Sequence, residues 1–93
     1  MTGKDVKRRI RRATKTVSGI LEAADYKVRI LDGKPFHIEA IRNREIRNIR
    51  ITIDEILAEE ERLVSEFDLP DNCSKEIWCR EESKRGFNIL KIF

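Results

Sequence analysis

FHIEAIRNREIRNIRITI, residues 36–53, reads as two antiparallel strands joined by a charged turn. In the first strand Phe36, Ile38 and Ala40 alternate with His37, Glu39 and Ile41. In the second, Ile49, Ile51 and Ile53 alternate with Asn48, Arg50 and Thr52. A period of two places one set of side chains on a buried sheet face and the other on the opposite face. Arg42, Asn43, Arg44 and Glu45 supply the polar connection that a hairpin needs.

Upstream of the hairpin, Val6, Ile10, Ala13, Val17, Ile20 and Ala24 recur at spacings of four and three, which predicts a helix of about five turns with one apolar stripe. Thr2 or Asp5 is its candidate cap, and Gly19 admits a close contact or a bend. Tyr26, Val28 and Ile30 alternate with Lys27, Arg29 and Leu31 in a strand, Asp32 and Gly33 turn the chain, and Pro35 stands where the hairpin begins. Downstream, residues 52–55 fit a Thr-x-x-Glu capping box, with Asp54 as a competing cap. The helix after it presents Ile56, Leu57, Leu63, Val64 and Phe67 as a buried stripe and Glu59, Glu60 and Glu61 as a solvated face. Asp68 to Asn72, with Pro70, end that helix. Residues 75–80 form a fourth strand with Ile77 and Cys79 on one face and Trp78 on the other, and residues 87–93 a fifth, apolar on both faces.

These elements predict one α+β domain over residues 1–93, in the order α-β-β-β-α-β-β, with a mixed sheet flanked by helices. No apolar run approaches the roughly 20 residues that span a bilayer, so a cytoplasmic protein without membrane contact is expected. Two cysteines, Cys73 and Cys79, with a single histidine, His37, support neither a disulfide scaffold nor a zinc site. No cofactor is expected. The abundance of Arg, Lys, Glu and Ile is of the kind found in thermophile proteins.

Net charge is +3, but it is unevenly spread. Residues 1–51 carry 14 basic against 6 acidic side chains, +8; residues 52–71 carry 1 against 8, −7; residues 72–93 carry 5 against 3, +2. The first helix concentrates Lys7, Arg8, Arg9, Arg11, Arg12 and Lys15 near its start, where the helix field disfavours cations. A solvated face, phosphate binding and an acidic protein surface are the three uses of such a cluster. Arg29, Arg42, Arg44, Arg47 and Arg50 are expected to extend its electrostatic surface.

From the first helix through Tyr26-Lys27-Val28, the hairpin and the following helix, the order of elements resembles the minimal core of restriction-endonuclease-like nucleases. The resemblance implies a carboxylate near the start of one strand and a Glu-x-Lys or Asp-x-Lys on the next, where the acids hold a divalent metal and the lysine organises water or developing charge. Asp32 and Glu39 match the acids, but the triplet is Glu39-Ala40-Ile41, with isoleucine where lysine is required. The resemblance therefore implies a degenerate nuclease fold: a noncatalytic nucleic-acid-binding or DNA-processing accessory protein whose partner is DNA or RNA. Two alternatives stand beside it. One is a small protein-assembly module, a homodimer through the terminal strand or a binder of another protein through Trp78, Phe87 and Phe93. The other is a Mg²⁺-dependent nuclease with Asp32 and Glu39 as catalytic acids and a rearranged or partner-completed site.

Overall fold

The computed structural model describes residues 3–81 and 85–93. The chain folds as helix α1 (Gly3–Ala23), strands β1 (Lys27–Ile30), β2 (Ile38–Arg42) and β3 (Glu45–Ile53), helix α2 (Ala58–Glu66), and strands β4 (Cys73–Arg80) and β5 (Asn88–Lys91). The strands form one sheet in the order β1-β2-β3-β4-β5. All neighbours are antiparallel except β3 and β4, which run parallel over eight residue pairs. A parallel pair needs a crossover, and α2 supplies it. The expected α+β class, element order and mixed sheet with two helices are therefore present.

Register fixes which side chains share a face. Ile38 lies beside Ile49, and Ile51 beside Trp78. These residues, with Tyr26 and Ala40, pack under Ala13, Val17 and Leu21 of α1 in one buried layer. The other face carries Ile77, covered by Val64 of α2 and by Phe36, with Leu31, Ile56, Leu69, Leu90 and Ile92 around them. The two helices thus lie on opposite faces of the sheet, the basic one on one side and the acidic one on the other.

Several expectations are corrected. Helix α1 already includes Gly3, and Asp5 lies in its first turn rather than at its cap; Thr2 lies outside the described residues. The buried stripe passes from Val17 to Leu21, leaving Ile20 47% exposed, because Ile20 is turned roughly 80° from the line set by Ile10, Val17 and Leu21 at 100° per residue. The capping box does not form. Thr52 remains in the ladder opposite Cys79, Asp54 takes a positive φ of 70° and pairs with Arg9, and α2 starts at Ala58 with no side-chain cap. The shortened helix buries only Val64 and leaves Leu57, Leu63 and Phe67 exposed, with Phe67 meeting Phe36 edge-on at 5.6 Å. The polar alternation of β3 does not face water either, since Asn48 and Thr52 are buried in the layer beneath α2.

The hairpin turn is two residues long, between Arg42 and Glu45, and Asn43 adopts the positive φ of 55° that a tight connection requires. Gly33 does the same at 84° in the loop before β2, and an added Cβ there would lie 2.7 Å from Nε2 of His37. Gly33→Ala is expected to lower the unfolding free energy by about 2 kcal/mol, through both the disfavoured φ and the clash. Gly19 sits mid-helix with open space around its Cα, which removes the close-contact reading, so Gly19→Ala is expected to raise stability by about 0.5–1 kcal/mol. Urea titration of both variants checks the opposite signs.

Candidate nucleic-acid interface

Helix α1 docks through residues on one side, and its helical period turns Arg8, Arg12 and Lys15 directly away from the sheet. Arg11 lies beside this line, and Lys7 stands nearer the margin of the docking side, also exposed. All five side chains are exposed, and none makes a hydrogen bond or ion pair with another described residue. Between Asp5 and Glu22 the helix contains no acid, so no i,i+4 partner neutralises the stripe. Arg8 and Lys15 stand about 10 Å apart along the axis at the usual rise per residue. On one flank Arg11 and Lys15 rim a groove against β1; on the other, Arg12 shares a hollow with Arg9, Thr16, Ile53, Arg80 and Glu81. Arg80, not foreseen from the sequence, extends the cationic surface there, its guanidinium 5.1 Å from the Phe87 ring centre.

The remaining arginines expected at the interface have other tasks. Arg9 forms a fork to Asp54, with bonds of 2.9 and 3.2 Å that tie α1 to the end of β3. Arg29 pairs with Glu39 at 3.2 Å on the opposite sheet face from α1. Arg42 donates to the Ala24 carbonyl at 3.0 Å, pairs with Glu45 and lies 4.4 Å from the Tyr26 ring centre, closing the C-terminal end of α1. Arg47 binds Glu76 through two bonds of 2.6 and 2.8 Å and lies between the Tyr26 and Trp78 rings. Arg50 donates to the carbonyls of Gly33 and Pro35 at 2.9 and 2.6 Å and pairs with Glu60, turning that glutamate out of the expected solvated face. Only Arg44, exposed at the hairpin tip, is without a partner among the described residues. Arg42, Arg47 and Arg50 are thus committed to holding the fold.

Glu76 and His37 are held below their ordinary pKa values by these surroundings. Burial raises the pKa of Glu76, but hydrogen bonds from Arg47, Trp78 and Ser74 outweigh it and hold the carboxyl below its usual range. Burial and the nearby Arg50 charge lower His37 to about 4, against the opposing fields of Glu60 and Asp32. Its neutral ring accepts the Ile51 backbone N–H on Nδ1 at 2.9 Å. His37 is thereby a structural acceptor.

No family model matches this chain, and no curated protein or solved structure matches it.

Asp32 and Glu39 do line one hollow of about 400 Å³, together with Lys34, Asn48 and Phe67. Within it, an oxygen of Asp32 accepts the Lys34 backbone N–H at 3.0 Å, and Glu39 is paired with Arg29. Among the described residues no group of three or more His, Cys, Asp or Glu is placed to hold a metal ion. Each carboxylate thus has a partner within the fold, and Ile41 stands where the resemblance requires lysine. Cys73 and Cys79 are free and buried. Of the aromatic residues expected to meet a protein partner, Trp78 is 5% exposed beneath α1 and packed against Phe87, whereas Phe93 is 69% exposed. No described helix is long and apolar enough to cross a membrane.

Proposed function

We propose that this chain is a noncatalytic nucleic-acid-binding domain, an accessory of DNA or RNA processing on a restriction-endonuclease-like arrangement, which lays the outer face of α1 along a phosphate backbone. One observation carries the reading: Lys7, Arg8, Arg11, Arg12 and Lys15 are exposed on one helix without partners among the described residues, while nearly every arginine of the sheet is used internally. Unpaired cations on a rigid helix retain their full charge for a polyanion, and the positive end of the helix dipole lies at the same end. A helix about 10–12 Å across matches the width of a duplex major groove. The acidic α2, on the opposite sheet face, repels phosphate and so sets which side approaches.

The test is duplex binding by fluorescence anisotropy at low salt. Replacing Arg8, Arg11, Arg12 and Lys15 together by glutamine is expected to weaken binding by at least about a hundredfold, for unrelated sequences alike, since phosphate contacts carry no base information. Arg9→Gln, which removes a pair with Asp54, serves as the comparison and should change affinity less than about threefold. Equal affinity of the fourfold variant and the unchanged chain would remove α1 from the footprint.

A further inference from the structure

Strand β1 is an outer strand of the sheet, and beside it runs a groove of about 470 Å³. Its walls are Val28 and Ile30 of β1 and Thr14, Ser18 and Gly19 of α1, rimmed by the cations of Arg11 and Lys15 and by one acid, Glu22. Ile30 is 59% exposed although its side chain points to the face that α1 covers. The backbone N–H of Leu31 donates inward to His37 at 2.8 Å. By the alternation of an antiparallel ladder, Val28 and Ile30 then direct their own N–H and C=O groups away from β2, with no strand beside them among the described residues. The residues with free main-chain groups are thus the ones whose side chains floor the groove. On the other face of β1 stand Lys27 and Arg29, both exposed, with Arg29 also paired to Glu39 across the ladder.

We propose that this edge binds an extended segment of another protein, alternating apolar and acidic residues, as a sixth strand. Its main chain pairs with Val28 and Ile30, its apolar side chains enter the groove, and its acidic side chains lie beside Lys27 and Arg29 on the opposite face. Arg11 and Lys15 take a further carboxylate at the end of the groove. Charge selects this occupant over a second copy: β1 paired with itself would set Lys27 and Arg29 against their own equivalents, and like charges across a ladder are destabilising. The site goes beyond nucleic-acid binding and shares with it only the flank formed by Arg11 and Lys15.

The probe is a capped hexapeptide Glu-Val-Glu-Val-Glu-Val, with the block isomer Glu-Glu-Glu-Val-Val-Val as its equal-charge control. The alternating peptide is expected to bind at least about tenfold more tightly, and its binding to slow hydrogen exchange at the Val28 and Ile30 amides. Ile30→Pro removes an outward donor at an edge position that tolerates proline, and should cost about tenfold in peptide affinity while leaving duplex affinity unchanged. R8Q/R12Q should do the reverse. Equal binding of the two isomers, protection on β5 instead of β1, or loss of peptide binding in R8Q/R12Q would each overturn the proposal. A peptide-free dimer protected at β1 would show a second copy as the occupant and overturn it equally.

Discussion

Arg47→Met is expected to lower the unfolding free energy by about 3–5 kcal/mol, the cost of leaving a buried carboxylate without its counter-charge. Glu76 is 3% exposed in its side chain and relies on two bonds from Arg47, with one each from Trp78 and Ser74. Once the guanidinium is removed, two neutral donors remain. The double variant R47M/E76Q should recover part of the loss, because glutamine carries no charge and still accepts from Trp78. Urea unfolding of the two singles and the double checks this. A loss below about 1 kcal/mol for Arg47→Met would mean that the pair contributes no more than a surface ion pair. The same variant, studied under conditions where it is folded, should bind duplex as the unchanged chain does, since Arg47 faces Glu76 and two rings.

Acidification should destabilise the domain in two successive windows. The folded pKa of His37, about 4, lies below its ordinary value of 6.5. The unfolded chain therefore binds more protons between these values, and stability rises with pH across that range. In the other direction, the contribution present above pH 6.5 is lost as pH falls toward 4. Glu76 has a lowered pKa, so its contribution is present above its ordinary value of 4.5 and is lost as pH falls through the folded one. The second loss begins just before the first is complete. In His37→Asn, whose amide oxygen still accepts the Ile51 N–H, the slope between pH 6.5 and 4.5 should vanish while the acid loss below 4.5 remains. Thermal unfolding over that pH range separates the two, and an unchanged slope in the variant would rule out His37 as its source.

The basic helix was legible in the sequence because both its cations and its apolar stripe are local patterns. Alternation also predicted β2, β3 and β4 correctly, including the opposition of Ile77 to Trp78 across the sheet. The fate of the arginines was not legible. Arg47 and Glu76 are 29 residues apart and meet only because β4 lies parallel beside β3, a pairing that no local period encodes. Arg50 looked solvent-facing for the same reason: its partners Gly33, Pro35 and Glu60 come from a loop and a helix that fold over the sheet. The capping box at Thr52 failed through competition, since continuing the β3–β4 ladder to the pair of Ile53 and Arg80 satisfies backbone groups that a helix start would have left open. The groove beside β1 had no sequence signal, because it arises where a helix and an edge strand diverge.

The central claim, that α1 binds phosphate through its outer face, is tested most directly by the salt dependence of duplex affinity. Between about 50 and about 200 mM salt, five phosphate contacts give a slope of log affinity against log salt of about −4 to −5. The variant lacking the charges of Arg8, Arg11, Arg12 and Lys15 should retain a slope near −1, with Lys7 as its remaining contact. A variant slope as steep as that of the unchanged chain would contradict the account and place the phosphate contacts elsewhere on the molecule.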